Sequence, residues 1–219
     1  MLPLKIVYLF FLSTTVVKEP KSILSYMVLR PVRKVKGDLL MTEEVGKEVS
    51  AKLTEKGVVV EDPDAVAELA AKGFGVKEGD SLLLKDFEVL YLMYIKRLAV
   101  YNGDRCLTFN EIVDYALKRD PDAWTRFIVY RDLRSRGYVV KDGFGFGVDF
   151  RVYDRGEHLS KPARYLVFSL NEGSKKGIRG FSKAVDKILE MGKEPVIAVI
   201  ERRGEVIYYK VSKMRFKKP

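Results

Sequence analysis

Apolar positions along this chain follow two rhythms, and each change from one to the other marks an element. Val49–Leu53 and Lys56–Val60 flank Glu55 and Gly57, which predicts a strand, a turn and a second strand ending in three valines. Helical spacing takes over at Asp62-Pro63-Asp64, an acidic cap with proline in the first turn, and runs through Ala65 to Lys72 until Gly73 closes it. From Asp86 to Tyr101, Phe87, Leu90, Tyr91, Tyr94, Ile95 and Leu98 recur at three- and four-residue spacings, predicting a longer helix with one apolar stripe facing a core. Thr108 and Glu111 have the spacing of a capping box and open a third helix.

Asp120-Pro121-Asp122 interrupts the pattern and marks the expected boundary between two domains. Beyond it a helix is predicted from Asp122 to about Arg136, ended by Gly137, with Trp124 as a core anchor. Arg126, Arg131, Arg134 and Arg136 then form a basic helix face, read first as solvated with Asp132 as its acidic partner. Strands follow at Tyr138–Lys141, Val148–Tyr153 and Tyr165–Leu170, then a helix over Gly180–Met191. Pro195–Glu201 and Glu205–Val211, joined by Arg202-Arg203-Gly204, predict a closing hairpin. No internal repeat is present, which excludes solenoids. The fold class expected is α/β (α+β), with a small N-terminal mixed α/β domain over residues 27–120 and a C-terminal mixed-sheet α/β domain over residues 121–219.

Residues 1–26 stand apart as a leader or extension. Ile6–Val17 is apolar but short of the roughly 20 residues a membrane span needs, and no small-x-small cleavage site follows it. It suits a β-strand equally well, and Met27 offers an alternative start. A membrane is therefore not expected as a partner, and the cytoplasm is the expected compartment. The formal charge of +10 points to an anionic partner, nucleic acid first, although solvated lysines beside abundant glutamates would give the same total. A basic tail at Lys213, Arg215, Lys217 and Lys218 adds to this. With one cysteine, Cys106, and one histidine, the chain has neither an internal disulfide nor the usual ligands of a transition metal. No cofactor is expected.

The most specific pattern lies between Trp124 and Phe168. It includes Tyr130, Leu133, Arg134, Gly137 and Tyr138, then Gly143-Phe144-Gly145-Phe146-Gly147-Val148-Asp149-Phe150-Arg151-Val152-Tyr153, with His158 just beyond. This run resembles the catalytic-domain signature of archaeal tRNA-intron splicing endonucleases, Y-x-x-L-R-x-x-G-Y followed by G-x-x-F-G-x-D-F-x-V-Y. The resemblance extends more loosely over residues 57–118 and includes Lys193 before the Pro195–Val199 strand. It implies a nuclease-like second domain and a subunit of an enzyme that cuts precursor tRNA at bulge-helix-bulge junctions. The ends left are a 2′,3′-cyclic phosphate and a 5′-hydroxyl, and no metal takes part. Tyr153 would be the general base, His158 the acid that protonates the leaving 5′-oxygen, and Lys193 the cation that stabilises the phosphorane. RNA contacts are implied for Lys187, Tyr208 and Arg179. The partners implied are precursor tRNA and either a paralogous subunit or further copies of this chain, in a tetramer whose docking element would be the Glu201–Glu205 loop.

Three positions depart from the family pattern. Counted without gaps, the family's histidine position falls on Pro162, and His158 comes early. The base-gripping arginine expected two helical turns before Lys193 is Asp186, with Lys187 beside it. The segment Gly75–Asp80 lacks a basic insertion. Together these departures favour a structural subunit of a heterotetramer over a catalytic one carrying Tyr153, His158 and Lys193. The remaining rivals are a metal-dependent nuclease, for which Asp149 lacks companion carboxylates, and a membrane-attached or secreted protein.

Overall fold

The computed structural model describes residues 25–31, 47–173 and 178–215. In chain order the elements are β1 (Ser25–Pro31), β2 (Val49–Thr54), β3 (Gly57–Val60), α1 (Pro63–Ala71), β4 (Val76–Glu78), β5 (Ser81–Leu84), α2 (Asp86–Tyr94), β6 (Leu98–Asn102) and β7 (Arg105–Leu107). They continue as α3 (Phe109–Arg119), α4 (Ala123–Ser135), β8 (Val139–Asp142), β9 (Phe150–Tyr153), β10 (Tyr165–Asn171), α5 (Ile178–Glu190), β11 (Glu194–Ile200) and β12 (Val206–Arg215). Two mixed six-stranded sheets result, ordered β4-β5-β3-β2-β6-β7 and β1-β12-β11-β10-β9-β8. The fold is mixed α/β.

Helix starts follow the local chemistry read from the sequence. Asp62 accepts the Ala65 N–H at 3.1 Å, and Glu111 accepts the Thr108 N–H at 2.9 Å while Thr108 caps the Glu111 N–H. One expected helix is shorter than its apolar pattern. α2 stops at Tyr94, and Leu98–Asn102 forms β6 beside β2 in parallel register. The stop is Lys96, in the left-handed region at φ 56°, where its N–H reaches Met93 O and that of Arg97 reaches Leu92 O. A lysine in that conformation gives no warning in the sequence.

The apolar core is continuous across the two sheets, running from Val49 through Phe87, Tyr91, Phe127 and Tyr130 to Val140, Phe150, Val167 and Val206. Helices α2 and α4 meet at its centre, where the Phe87, Tyr91 and Tyr130 rings pack. A second, smaller core lies on the other face of the β8–β12 sheet, where α5 brings Ala184 and Ile188 against Val148, Leu166 and Phe168. The strand β1 joins this sheet rather than the one formed by the residues that follow it, pairing antiparallel with β12 from Ser25↔Arg215 to Pro31↔Tyr209. The apolar run Ile6–Val17 lies outside the described residues. No helix among the described residues is long and apolar enough to cross a membrane.

The arginine face of α4 is a clamp rather than a solvated stripe. Arg126 pairs with Asp120 at 3.3 Å and Asp142 at 2.5 Å, with its guanidinium over the Phe87 ring. Arg134 lies 4.1 Å above the Phe74 ring and donates to Lys72 O at 3.1 Å. Both therefore join the first sheet's layer to the second. Trp124 is not the core anchor its position suggests: the residue is 43% exposed, and its ring leans on Phe127 from outside.

Candidate active site

Tyr153 is the last residue of β9, and its position follows from strand alternation. Phe150 and Val152 enter the large core, so Arg151 and Tyr153 face the α5 side. The same parity applies on β11, where Val196, Ala198 and Ile200 belong to the large core and Ile197 packs with Val185 of α5. Lys193, four residues before Ile197, falls on the α5 side too. Its backbone is fixed by the end of α5: Gly192 takes φ 69°, and the Lys193 N–H reaches back to Ile188 O at 3.0 Å.

Register brings these two residues into one row. Tyr165 pairs with Val152 of β9 and Glu194 of β11. One residue earlier, the Arg164 N–H binds Val152 O and the Glu194 N–H binds Arg164 O, each at 3.0 Å. Tyr153, Arg164 and Lys193 therefore sit side by side, at the end of β9 and just before β10 and β11, with the outer two about 10 Å apart at the backbone. Arg164 went unnoticed in the sequence, where its only signal is a charge immediately before an apolar strand. Its guanidinium bridges Asp154 at 3.3 Å and Glu194 at 3.1 Å. Burial works against the charge on Glu194, but the Lys210 and Arg164 cations hold its carboxyl below the usual range.

His158 is on the β8 flank of that row, where its ring shares the Gly73 turn with Val139, the β8 partner of Tyr153. It belongs to a loop tied by hydrogen bonds from Glu157 N to Asp154 O and from Lys161 N to Glu157 O, and by the Lys161–Glu157 ion pair. Arg155 anchors the loop on the end of α4 by donating to Arg136 O. The imidazole is turned toward the Gly73 turn, and both ring nitrogens are buried without a hydrogen-bond partner. Pro162, at the ungapped histidine position, offers no titratable group.

The other candidates divide. The Tyr208 hydroxyl donates to Asp132 at 2.7 Å and its ring lies under the Arg136 guanidinium, so its polar group is engaged inside the protein. Burial first, and then the Asp132 carboxylate, raise its phenol well above the ordinary value. Tyr208→Phe is expected to cost about 1.5 kcal/mol in urea denaturation, the worth of a hydrogen bond to a charged acceptor, with RNA affinity unchanged. Lys187 is exposed, its ammonium 4.5 Å from the centre of the Phe146 ring. Asp186 is paired with Lys213 at 2.6 Å. Arg179 sits in the first turn of α5, its side chain outside the described residues. Among the described residues no group of three His, Cys, Asp or Glu side chains comes together to hold a metal ion.

Residues 123–208 match the tRNA intron endonuclease catalytic C-terminal domain, and residues 49–113 match the tRNA intron endonuclease N-terminal domain. The chain belongs to the tRNA-splicing endonuclease family. The tRNA-splicing endonuclease of Pyrococcus furiosus is 34% identical over 145 residues, spanning 66% of this chain and 84% of the relative. That of Methanococcus maripaludis is 31% identical over 170 residues, spanning 77% and 96%. As a tRNA-splicing endonuclease family member, the chain has its Tyr153–Arg164–Lys193 row inside the segment that matches the catalytic domain, whereas β1 precedes both matched segments.

Proposed function

We propose that this chain is the structural subunit of a tRNA-splicing endonuclease, assembled with a catalytic paralogue into a heterotetramer that cuts precursor tRNA at bulge-helix-bulge junctions. In that reaction the 2′-oxygen beside the scissile phosphate loses its proton to a base and attacks phosphorus. The 5′-oxygen leaves with a proton from an acid, giving a 2′,3′-cyclic phosphate and a 5′-hydroxyl without a metal. Three groups are needed: a base, an acid and a cation to stabilise the phosphorane.

The observation that carries the structural reading is the state of the chain's one histidine. Both imidazole nitrogens of His158 are buried, Nε2 against the Gly73 turn, so neither meets a leaving oxygen while the loop and turn stay in place. Tyr153 and Lys193 stand in one row, which supports reading them as a former base and cation, but an accessible imidazole is missing beside them. That surviving row supports the second reading, a catalytic subunit in which the loop of His158 swings outward on binding RNA.

Co-expression with the paralogue and an intron-excision assay in EDTA tests the proposal. The complex is expected to excise introns and this chain alone to be inactive. His158→Ala in this chain should leave the cleavage rate within about twofold of wild type. General acid catalysis contributes roughly 100-fold or more, so a loss of that size would transfer the catalytic role to this chain. Failure of the complex to cut any bulged precursor would remove the endonuclease reading itself.

A further inference from the structure

The loop between β8 and β9 carries two phenylalanines that folding does not explain. Phe144 is 43% and Phe146 47% exposed, in a run of alternating glycines. Phe146 also adopts φ 54°, a left-handed backbone that glycine would take without strain. A large apolar side chain kept both in water and in an unfavourable conformation indicates a use outside the fold.

Each ring has a cation against it. The Arg151 guanidinium lies 5.5 Å from the Phe144 centroid, and the Lys187 ammonium 4.5 Å from that of Phe146. Nearby carboxylates are already engaged. Asp186 pairs with Lys213, Asp149 accepts the Ser169 N–H at 2.6 Å, and Asp142 pairs with Lys85 and Arg126. The patch therefore offers flat apolar faces next to unneutralised positive charge. That combination fits a nucleobase and its phosphate: rings take the base by stacking, and cations take the backbone. An apolar partner surface would gain from the rings but would have to bury two cations.

Position supports the same ligand. Val148, next to the loop, packs with Ala184 and Ile188 of α5, so the patch lies on the α5 side of the sheet. Tyr153 and Lys193 face that side at the opposite end of β9, about 10 Å along the strand from Phe150. Resting on the RNA-cleaving reading above, we infer that Phe146, with Phe144, Arg151 and Lys187 around it, is a stacking site for an unpaired nucleobase of the RNA, on the same face of the sheet as the Tyr153–Lys193 row and distinct from it. It supplies a grip on this chain where Asp186 cannot.

The test measures fluorescence anisotropy with a labelled RNA duplex carrying a three-nucleotide bulge, against the same duplex with the bulge fully paired. The protein is the full chain with its co-purified partner. Phe146→Ala is expected to weaken binding of the bulged RNA by roughly tenfold, the order of one lost base stack, and that of the paired RNA by under twofold. Phe146→Trp should restore binding, and the salt dependence of the bulged complex should keep its slope, because no phosphate contact is lost. Phe146→Gly, which relaxes the backbone, should lose binding while melting no lower than wild type. Equal losses on both RNAs, undiminished binding by Phe146→Ala, or a change in oligomeric mass with RNA affinity per assembly intact would each overturn the proposal. The last outcome would make the patch a protein interface. Intron excision by the wild-type complex alongside any of these results would leave the endonuclease reading standing.

Discussion

Glu88→Ala should lower folding stability by about 4 kcal/mol, as much as truncating a fully buried apolar side chain. The carboxylate is 1% exposed and accepts two backbone N–H groups, Gly75 at 3.0 Å and Lys85 at 2.9 Å. One bond closes the N-terminus of α2 and the other holds the Gly73–Gly75 turn, thirteen residues away in sequence. Lys141 of β8 donates to Gly75 O at 3.0 Å, so the same turn is gripped from the second sheet. Removing the carboxylate strands two buried donors, at roughly 1–3 kcal/mol each, and leaves a small cavity. Urea denaturation with an unchanged m-value measures the loss.

A pH signature accompanies it. Burial pushes the Glu88 carboxyl up from 4.5, more than the two backbone N–H groups and the nearby Lys141 and Arg134 cations pull it down. The folded state thus holds this proton more tightly than the unfolded chain does. The stability it contributes is complete below about pH 4.5 and falls as pH rises through the elevated folded value. Glu88→Gln should flatten that stretch of the stability–pH curve. An unchanged slope in the Gln variant would place the titration elsewhere.

Much of this fold was legible because its signals are local. Asp62, Thr108 and Glu111 act on backbone groups three residues away, and the α1, α3, α4 and α5 helices begin near where such signals and periodicity place them. The end of α2 was hidden, since a left-handed lysine has no sequence signature and the apolar spacing carries on into β6. Strands β4 and β5 were missed because each is short and their pairing is with each other and with β3. Arg126 and Arg134 looked like a solvated face: their aromatic partners Phe87 and Phe74 lie far away in sequence. In the candidate site, Tyr153 and Lys193 were found through family resemblance, and the register that aligns them is set by β10 between them. The burial of His158 was beyond the sequence, because it depends on how the Gly73 turn docks.

That docking supplies the second large effect. Gly73→Ala is expected to cost about 3 kcal/mol. Gly73 has φ 81°, where a β-carbon costs roughly 1–2 kcal/mol, and that carbon would lie 2.5 Å from Val139 Cγ1. His158 Cδ2 and Nε2 stand just behind, at 3.5 and 3.6 Å from the same point. Val139 pairs with Tyr153 across the β8–β9 ladder, so it is held on its far side and the turn must yield. Trimming the obstacle separates the two contributions. In the double variant Gly73→Ala, Val139→Ala the overlap disappears while the backbone strain remains, so the pair should be more stable than the sum of the single losses predicts, by about 1–2 kcal/mol. Strict additivity would mean that the two residues do not touch. A displaced turn also uncovers the imidazole: diethyl pyrocarbonate should modify His158 slowly in the wild type and faster in Gly73→Ala under native conditions. Equal rates would show that the turn does not shield the ring, and the case for a non-catalytic histidine would lose its main support.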